Sequence, residues 1–379
     1  MRRCSVSVPV LVAVTVAILT AGCDRVTEPV VAPELSRATP TPVLEPTLFA
    51  TGLNDPRGLA FGPDGNLYVA EAGTGGSSST VGQCLQLPFP FGPATGGPTG
   101  RISRIAPDGT RETLADGLPS TRNNPIVGGT VLGVADVEFV GGTLYALVAG
   151  GGCSHGNAGT TNGIVRLNRD GSWVQVTDHS AFLHAHQVAA PDSSDIEPDG
   201  SPYTMVRWGA GFYVAEANQA QITFESFHGT VRRAADVTAE VGNLTPTALA
   251  LRGSHLFVAN LGKVPFLDGS SSVFRVAADG EMALVYSGLT TVLDLAFDPR
   301  GRLYALETSV EKPIAPPFLF PATGRVVRVE AEGALIPVAT GLTFPSAMTF
   351  GAHGDLYVSV CGYGCGPGAG AVVRIELPE

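Results

Sequence analysis

Charge is scarce in this chain. Only 15% of the 379 residues are Asp, Glu, Lys or Arg, and few stretches read as long amphipathic helices, which argues against a helical architecture. There is no Gly-x-Ser-x-Gly elbow, no phosphate loop and no dinucleotide fingerprint, so serine hydrolases and nucleotide-dependent enzymes drop out. Positive charge is scarcer still. Lys plus Arg number 23 against 34 Asp plus Glu, a net −11 with pI near 5.1, and clusters as small as Arg232-Arg233 do not suit a nucleic-acid partner. The main apolar run near the start, Val8 to Leu19, is short for a membrane span.

What the chain has instead is 48 Gly, 29 Pro and a phrase repeated six times. Two short apolar runs flank a turn: Leu59-Ala60-Phe61 then Leu67-Tyr68-Val69-Ala70, Val137-Glu138-Phe139 then Leu144-Tyr145-Ala146-Leu147, Met205-Val206 then Phe212-Tyr213-Val214-Ala215. The remaining copies are Leu249-Ala250-Leu251 then Leu256-Phe257-Val258-Ala259, Leu295-Ala296-Phe297 then Leu303-Tyr304-Ala305-Leu306, and Met348-Thr349-Phe350 then Leu356-Tyr357-Val358. Turns such as Pro63-Asp64-Gly65-Asn66 mark hairpins. A third run ends in Asp-Gly or Glu-Gly, as at Ile102 to Ile105 before Asp108-Gly109, and a fourth leads into Gly-Leu, as at Gly117-Leu118, Gly288-Leu289 and Gly341-Leu342. Four strands per copy and six copies predict an all-β, six-bladed β-propeller.

The sixth copy stops at Val372-Val373-Arg374-Ile375 without its fourth strand, while Leu48-Phe49-Ala50-Thr51-Gly52-Leu53 precedes the first copy and has the fourth-strand pattern. The N-terminal strand is therefore expected to complete the last blade and remove an open edge. The central aromatics Tyr68, Tyr145, Tyr213, Phe257, Tyr304 and Tyr357 are separated by 77, 68, 44, 47 and 53 residues, so the excess length falls in 73–100, 149–162 and 179–200. Each of these follows a second or fourth strand, which places all three on one rim.

Ahead of the propeller, expected over 47–379, Arg2-Arg3, the apolar run and Ala21-Gly22-Cys23 have the layout of a secretory leader over 1–22. A Cys at the cleavage point implies lipidation of Cys23, with residues 23–46 a Pro-rich tether. The motif resembles the bacterial lipobox, with Thr20 where Leu is usual. Asp24 hints at inner-membrane retention under enterobacterial rules only. Export leaves Cys84, Cys153, Cys361 and Cys365 in an oxidising compartment. Four cysteines allow three pairings. Cys361 and Cys365 can close a small Gly-rich loop, leaving Cys84 for Cys153; a four-Cys zinc site is the alternative.

From about residue 46 to 379 the chain resembles the ScyD/ScyE family of secreted bacterial proteins, relatives of NHL-type propellers. The match is carried by Asp55-Pro56-Arg57-Gly58-Leu59-Ala60-Phe61-Gly62-Pro63-Asp64-Gly65, Tyr68 to Gly73, Gly200-Ser201-Pro202-Tyr203, Tyr213 to Ala217, Thr245 to Ala250 and Val292 to Asp298. The resemblance implies the fold and no defined activity. The third copy departs from it at Gln219 to Phe224, where an irregular blade is expected.

Three residues beyond four of the six aromatics stand Glu71, Glu216, Asn260 and Glu307. With Asp136 and Asp294 of the first strands they are candidate oxygen ligands for Ca²⁺ or another divalent metal, and a metal-bound water would suit lactone or ester hydrolysis. The opposing reading is that they cap backbone amides. The stretch from His179 to Gly200 holds His179, His184, His186, Asp192, Asp195, Glu197 and Asp199. Its Asp195-x-Glu197-x-Asp199-Gly200 imitates a calcium loop without the closing Glu, since the twelfth position is Val206, and an acidic surface loop is the expectation. Aromatics recur on the rim: Phe89 and Phe91 in Pro88 to Gly96, Phe318 and Phe320 in Pro317 to Gly324, and Phe266 beside Pro265. They form either an exposed collar or an inward plug.

These features predict a lipid-anchored, extracytoplasmic propeller, periplasmic or at the cell surface, that binds a small molecule or an envelope protein at its rim and carries no assured cofactor. A metal-dependent lactonase or esterase of the gluconolactonase type is the alternative, and a structural envelope component is the third.

Overall fold

A computed structural model describes residues 42–127, 129–194, 196–311 and 318–378. The leader, Cys23 and the tether up to residue 41 lie outside the described residues, as do Asp195 and Pro317. The chain forms six antiparallel sheets, each with its first strand innermost. The first strands are Pro56–Phe61, Val134–Val140, Pro202–Trp208, Pro246–Arg252, Val292–Phe297 and Ala347–Phe350, and they begin blades 1 to 6. Thr47–Leu53 pairs antiparallel with Gly370–Ile375, with Thr47 opposite Arg374, so the N-terminal strand completes blade 6 as expected.

The repeated phrase is explained by the seams between blades. In four of the six seams the aromatic of the second strand reaches the aromatic that ends the neighbouring first strand: Tyr68 meets Phe139 at 4.8 Å between ring centroids, Phe257 meets Phe297 at 5.1 Å, Tyr304 meets Phe350 at 5.3 Å and Tyr357 meets Phe61 at 5.0 Å, all edge-on. Such pairs contribute roughly 0.5–1.5 kcal/mol each beyond the area they bury. Blade 3 lacks the closing Phe, and Tyr145 packs instead on Phe212 at 5.4 Å and Phe227 at 5.6 Å. Blade 3 is nonetheless regular. Its third strand, Gln221–Ser226, pairs along its length with Gly211–Glu216, and buried Gln221 accepts a hydrogen bond from Arg233 Nε at 2.9 Å.

Two further departures concern the rim. In blade 1 the third strand runs from Thr95 and the fourth ends at Arg122, so the pair extends beyond the blade body and shortens the loop expected over 73–100. In blade 2 the fourth strand is only Trp173–Gln175, followed by a short helix, His179–Ala185, capped by Asp178. At the other end of the described chain, the Leu44 amide donates to the Val338 carbonyl at 2.7 Å, which ties the last residues of the expected tether to blade 5.

Both expected disulfides are present, Cys84 to Cys153 between rim loops of blades 1 and 2, and Cys361 to Cys365 within blade 6.

Candidate functional site

The second-strand carboxylates are turned into their own blades. Glu71 accepts from the Asn54 amide at 2.6 Å and pairs with Arg101 at 2.7 Å. Glu307 accepts from the Thr290 amide at 2.6 Å and pairs with Arg325. Asn260 accepts from the Ser272 amide at 2.9 Å. Glu216 accepts from the Ser201 amide at 2.8 Å, and its cation is His179, at 2.9 Å. The reason is a matter of register. Arg101 and Arg325 stand directly across the sheet from Glu71 and Glu307, whereas Gln221 stands across from Glu216, so blade 3 takes its positive charge from the rim helix. The capping reading of these positions therefore describes the geometry, and the proposed ring of metal ligands is not assembled. Among the described residues no group of three or more His, Cys, Asp or Glu is placed to hold a metal ion.

His179 is fully buried between Glu216 and Glu225, the latter at 2.6 Å. Burial opposes its protonation, but the two carboxylates outweigh that and push its pKa up to about 10. The stretch from His179 to Gly200 is the surface loop expected only in its middle, where His184 and His186 are exposed: His179, Glu197 and Asp199 at its ends are buried, and Asp199 accepts from Ser154 N and Oγ at 2.7 and 2.6 Å. Where the ends of a rim loop turn inward, their polar groups must be satisfied locally. His184 and His186 do not form a metal pair. His184 lies 3.4 Å from Asp199, while the His186 ring stacks on Phe182 at 4.4 Å.

Asp136 and Asp294 do face the central channel, where they staple seams. Each accepts from the next amide of its own strand, Val137 at 2.8 Å and Leu295 at 2.7 Å. Each also accepts from a Met amide on the neighbouring first strand, Met205 at 2.8 Å and Met348 at 2.7 Å. Close packing at this position explains Gly58, where a Cβ would lie 1.9 Å from Asp136 Oδ1. Burial raises the pKa of Asp136 to about 6 and of Asp294 to about 8, and raises that of Glu138, beside Asp136, to about 7.

In blades 1 to 5 the first strand is bulged around its second position, which re-aims that side chain toward the axis. Arg57, Ala135, Tyr203, Thr247 and Leu293 occupy this position, with Ser346 its equivalent in blade 6. Tyr203 crosses the channel from blade 3 to blade 6, its hydroxyl donating to the Ser346 carbonyl at 3.2 Å, and the Arg57 guanidinium lies over its ring at 5.7 Å. Arg57 and Tyr203 line two cavities at once. The lower, of about 320 Å³, is walled by the first strands and carries Asp136, Glu138 and Asp294. The upper, of about 310 Å³, is the rim chamber.

All six blades contribute to the rim chamber. Its wall includes Phe91, Phe266, Phe318, Leu319 and Phe344, above a polar floor of Arg57 and Tyr203. Phe318 and Phe344 are held at φ of 62° and 44°, a backbone strain of the kind that clusters at ligand sites. Of the rim aromatics expected from the sequence, Phe91, Phe266 and Phe318 therefore meet, whereas Phe89 and Phe320 are exposed outside the chamber. Neither Arg57 nor Tyr203 is among the site residues expected from the sequence. The signal lay in register: aligning the six first strands puts a polar side chain at the second position in four of them.

No family model matches the chain, and no curated protein is significantly similar to it. Among solved structures it is similar to a protein of Thermus thermophilus assigned provisionally as an oxidoreductase (glucose dehydrogenase), at 17% identity over 88% of this chain and 100% of that one, with a TM-score of 0.56. It is similar also to the PQQ-bound aldose sugar dehydrogenase of Streptomyces coelicolor, at 14% identity over 88% and 97% with a TM-score of 0.50. A protein assigned provisionally as a gluconolactonase gives 14% identity over 88% and 92%, again with a TM-score of 0.50. At such identities the likeness establishes the propeller fold and nothing about the reaction.

Proposed function

We propose that the protein is an extracytoplasmic, lipid-anchored binding protein whose rim chamber holds a small molecule with an apolar body. The observation that carries this reading is the chamber itself, a concave site closed in by aromatics from several blades over a polar floor, the usual make-up of a small-molecule site. Anchoring at Cys23 is supported by the leader pattern, and export by the two disulfides. The ScyD/ScyE resemblance fits an exported propeller. A metal-dependent lactonase has less support, because Glu71, Glu216 and Glu307 are already engaged by amides and cations of their own blades or rim loops.

The test is a thermal-shift screen of the mature protein against aromatic and aliphatic small molecules, run beside lactone and ester turnover with and without chelator. Stabilisation by apolar-bodied compounds, lost in Phe266→Ala and Phe318→Ala, is the expected result. Chelator-sensitive turnover without any such stabilisation would replace this reading with the enzyme. Acyl chains on Cys23 in the mass spectrum of the mature N-terminus check the anchor.

A further inference from the structure

The floor of the chamber carries a buried guanidinium that no carboxylate touches, although Asp136, Glu138 and Asp294 lie in the cavity beneath it. Arg57 is 6% exposed. Its Nη2 donates to the Val131 carbonyl at 2.7 Å and its Nη1 to the Tyr203 hydroxyl at 3.5 Å, both neutral acceptors. Among the described residues no ion pair involves Arg57, although Glu71, Glu307, Asp298 and Asp355 each have an arginine of their own. Asp55, two residues away, feels the charge of Arg57 and also of Arg122, yet forms no ion pair with Arg57. An unpaired guanidinium in a dry site is costly, and proteins keep one where an anion completes it. Arginine is suited to this role because its planar donors match a carboxylate edge on.

The other polar groups of the chamber add detail. Asn123 and Glu197 both line it, and Asn123 Oδ1 and Glu197 Oε2 are buried acceptors without a hydrogen bond. Glu197 faces His155, whose Nε2 lies 3.4 Å away without a hydrogen bond; burial lowers the imidazole's pKa, but the carboxylate outweighs it and raises the value. The chamber therefore offers one cation without an ion-pair partner, two acceptors that lack donors, and an aromatic wall.

We infer that the ligand of the rim chamber is a small carboxylate with an apolar, ring-sized body, its carboxylate seated on Arg57. This deepens the binding reading given above and rests on it. Hydroxyl or N–H groups on the ligand would find acceptors at Asn123 and Glu197.

The decisive measurement uses a matched pair of probes, 2-naphthoate and its neutral isostere 2-naphthamide, titrated into the mature protein by calorimetry. Naphthoate should bind at least roughly tenfold more tightly, about 1.4 kcal/mol. Arg57→Gln should bring the two within about twofold of each other by weakening naphthoate alone, whereas Phe266→Ala should weaken both alike. Arg57→Lys should retain part of the preference. Equal binding of the two probes by the unmodified protein would overturn the carboxylate inference and leave the chamber a binding site, a result that stands even where Arg57→Gln does not fold. Binding of neither probe would overturn both the carboxylate inference and the binding reading beneath it.

Discussion

The two halves of the ring carry one inner code. At the third position of the first strands, blades 1 to 3 have Gly58, Asp136 and Thr204 and blades 4 to 6 have Ala248, Asp294 and Ala347; at the fourth they have Leu59, Val137 and Met205 against Leu249, Leu295 and Met348. Small, acid, small is thus repeated with a period of three blades, and the aspartate–methionine staple appears twice on opposite sides of the channel. The halves diverge at the second position and on the rim. Arg57 and Tyr203 are matched by Thr247 and Ser346, and the first half alone has the long-range disulfide and the buried His179. Thr247 and Ser346 do a simpler task, each donating to a carbonyl of the adjacent blade, Val292 and Pro56 respectively, at 2.6 Å. Seams tolerate little variation because both neighbours must fit, whereas an axial side chain above the staple is free to take on a ligand.

Removing His179 should break the comparison most severely. In His179→Ala, Glu216 and Glu225 would remain buried in blade 3 with no cation between them, and loss of one partner from a buried ionic group costs about 3–5 kcal/mol. The corresponding change in the second half, Arg325→Ala beside Glu307, should cost clearly less, because Arg325 is partly exposed and water can reach the site it vacates. Urea unfolding of the two variants side by side tests this. Equal losses would show that the polar seam of blade 3 holds the ring no more tightly than an ordinary cross-strand pair.

Alkaline pH is expected to loosen both halves, with opposite chemistry and the same sign. His179 has a folded pKa of about 10 against an ordinary 6.5, so its contribution is complete below the lower value and is lost as pH rises through the upper. Asp294, at about 8 against an ordinary 3.8, is bound as the acid in the folded state, and the fold loses that advantage as pH climbs between those values. The unfolding midpoint should therefore fall between about pH 6 and pH 9, and Asp294→Asn should flatten that slope more than Asp136→Asn does. A midpoint that rises over this interval contradicts the buried protonated groups in both halves.

The phrase built on Leu67-Tyr68-Val69-Ala70 makes blades, closure and strand order legible, because each of its apolar side chains has a fixed task in a seam. The four cysteines were legible for a similar reason, their loops being confined to one rim. Glu71, Glu216 and Glu307 were legible as a set but not in direction: spacing shows that they are equivalent, while the amides and cations that claim them come from other strands and loops. His179 lies farther beyond pattern reading, since its partners are 37 and 46 residues away and nothing in the surrounding sequence marks it as interior. Arg57 and Tyr203 needed the bulge, because a strict alternation of strand faces does not aim the second position at the axis.

The smallest expected effect isolates the single hydrogen bond by which the two staples differ. Asp136 Oδ2 accepts from Thr204 Oγ1 at 2.9 Å in addition to the Met205 amide, whereas Ala347, the counterpart of Thr204, has no hydroxyl to offer Asp294. A bond to the ionised form favours it, and together with the charge of Asp136, which raises Asp294, it places Asp136 at about 6 and Asp294 at about 8, though both are buried. Thr204→Val should move the Asp136 pKa toward that of Asp294 and cost about 1 kcal/mol near neutral pH, while Ala347→Thr should lower the Asp294 value. Carboxyl-carbon titration by NMR reads both residues in one experiment. Unchanged values in both variants would mean that burial and the mutual repulsion of the two aspartates across the channel set their protonation, and that the hydroxyl merely fills the seam.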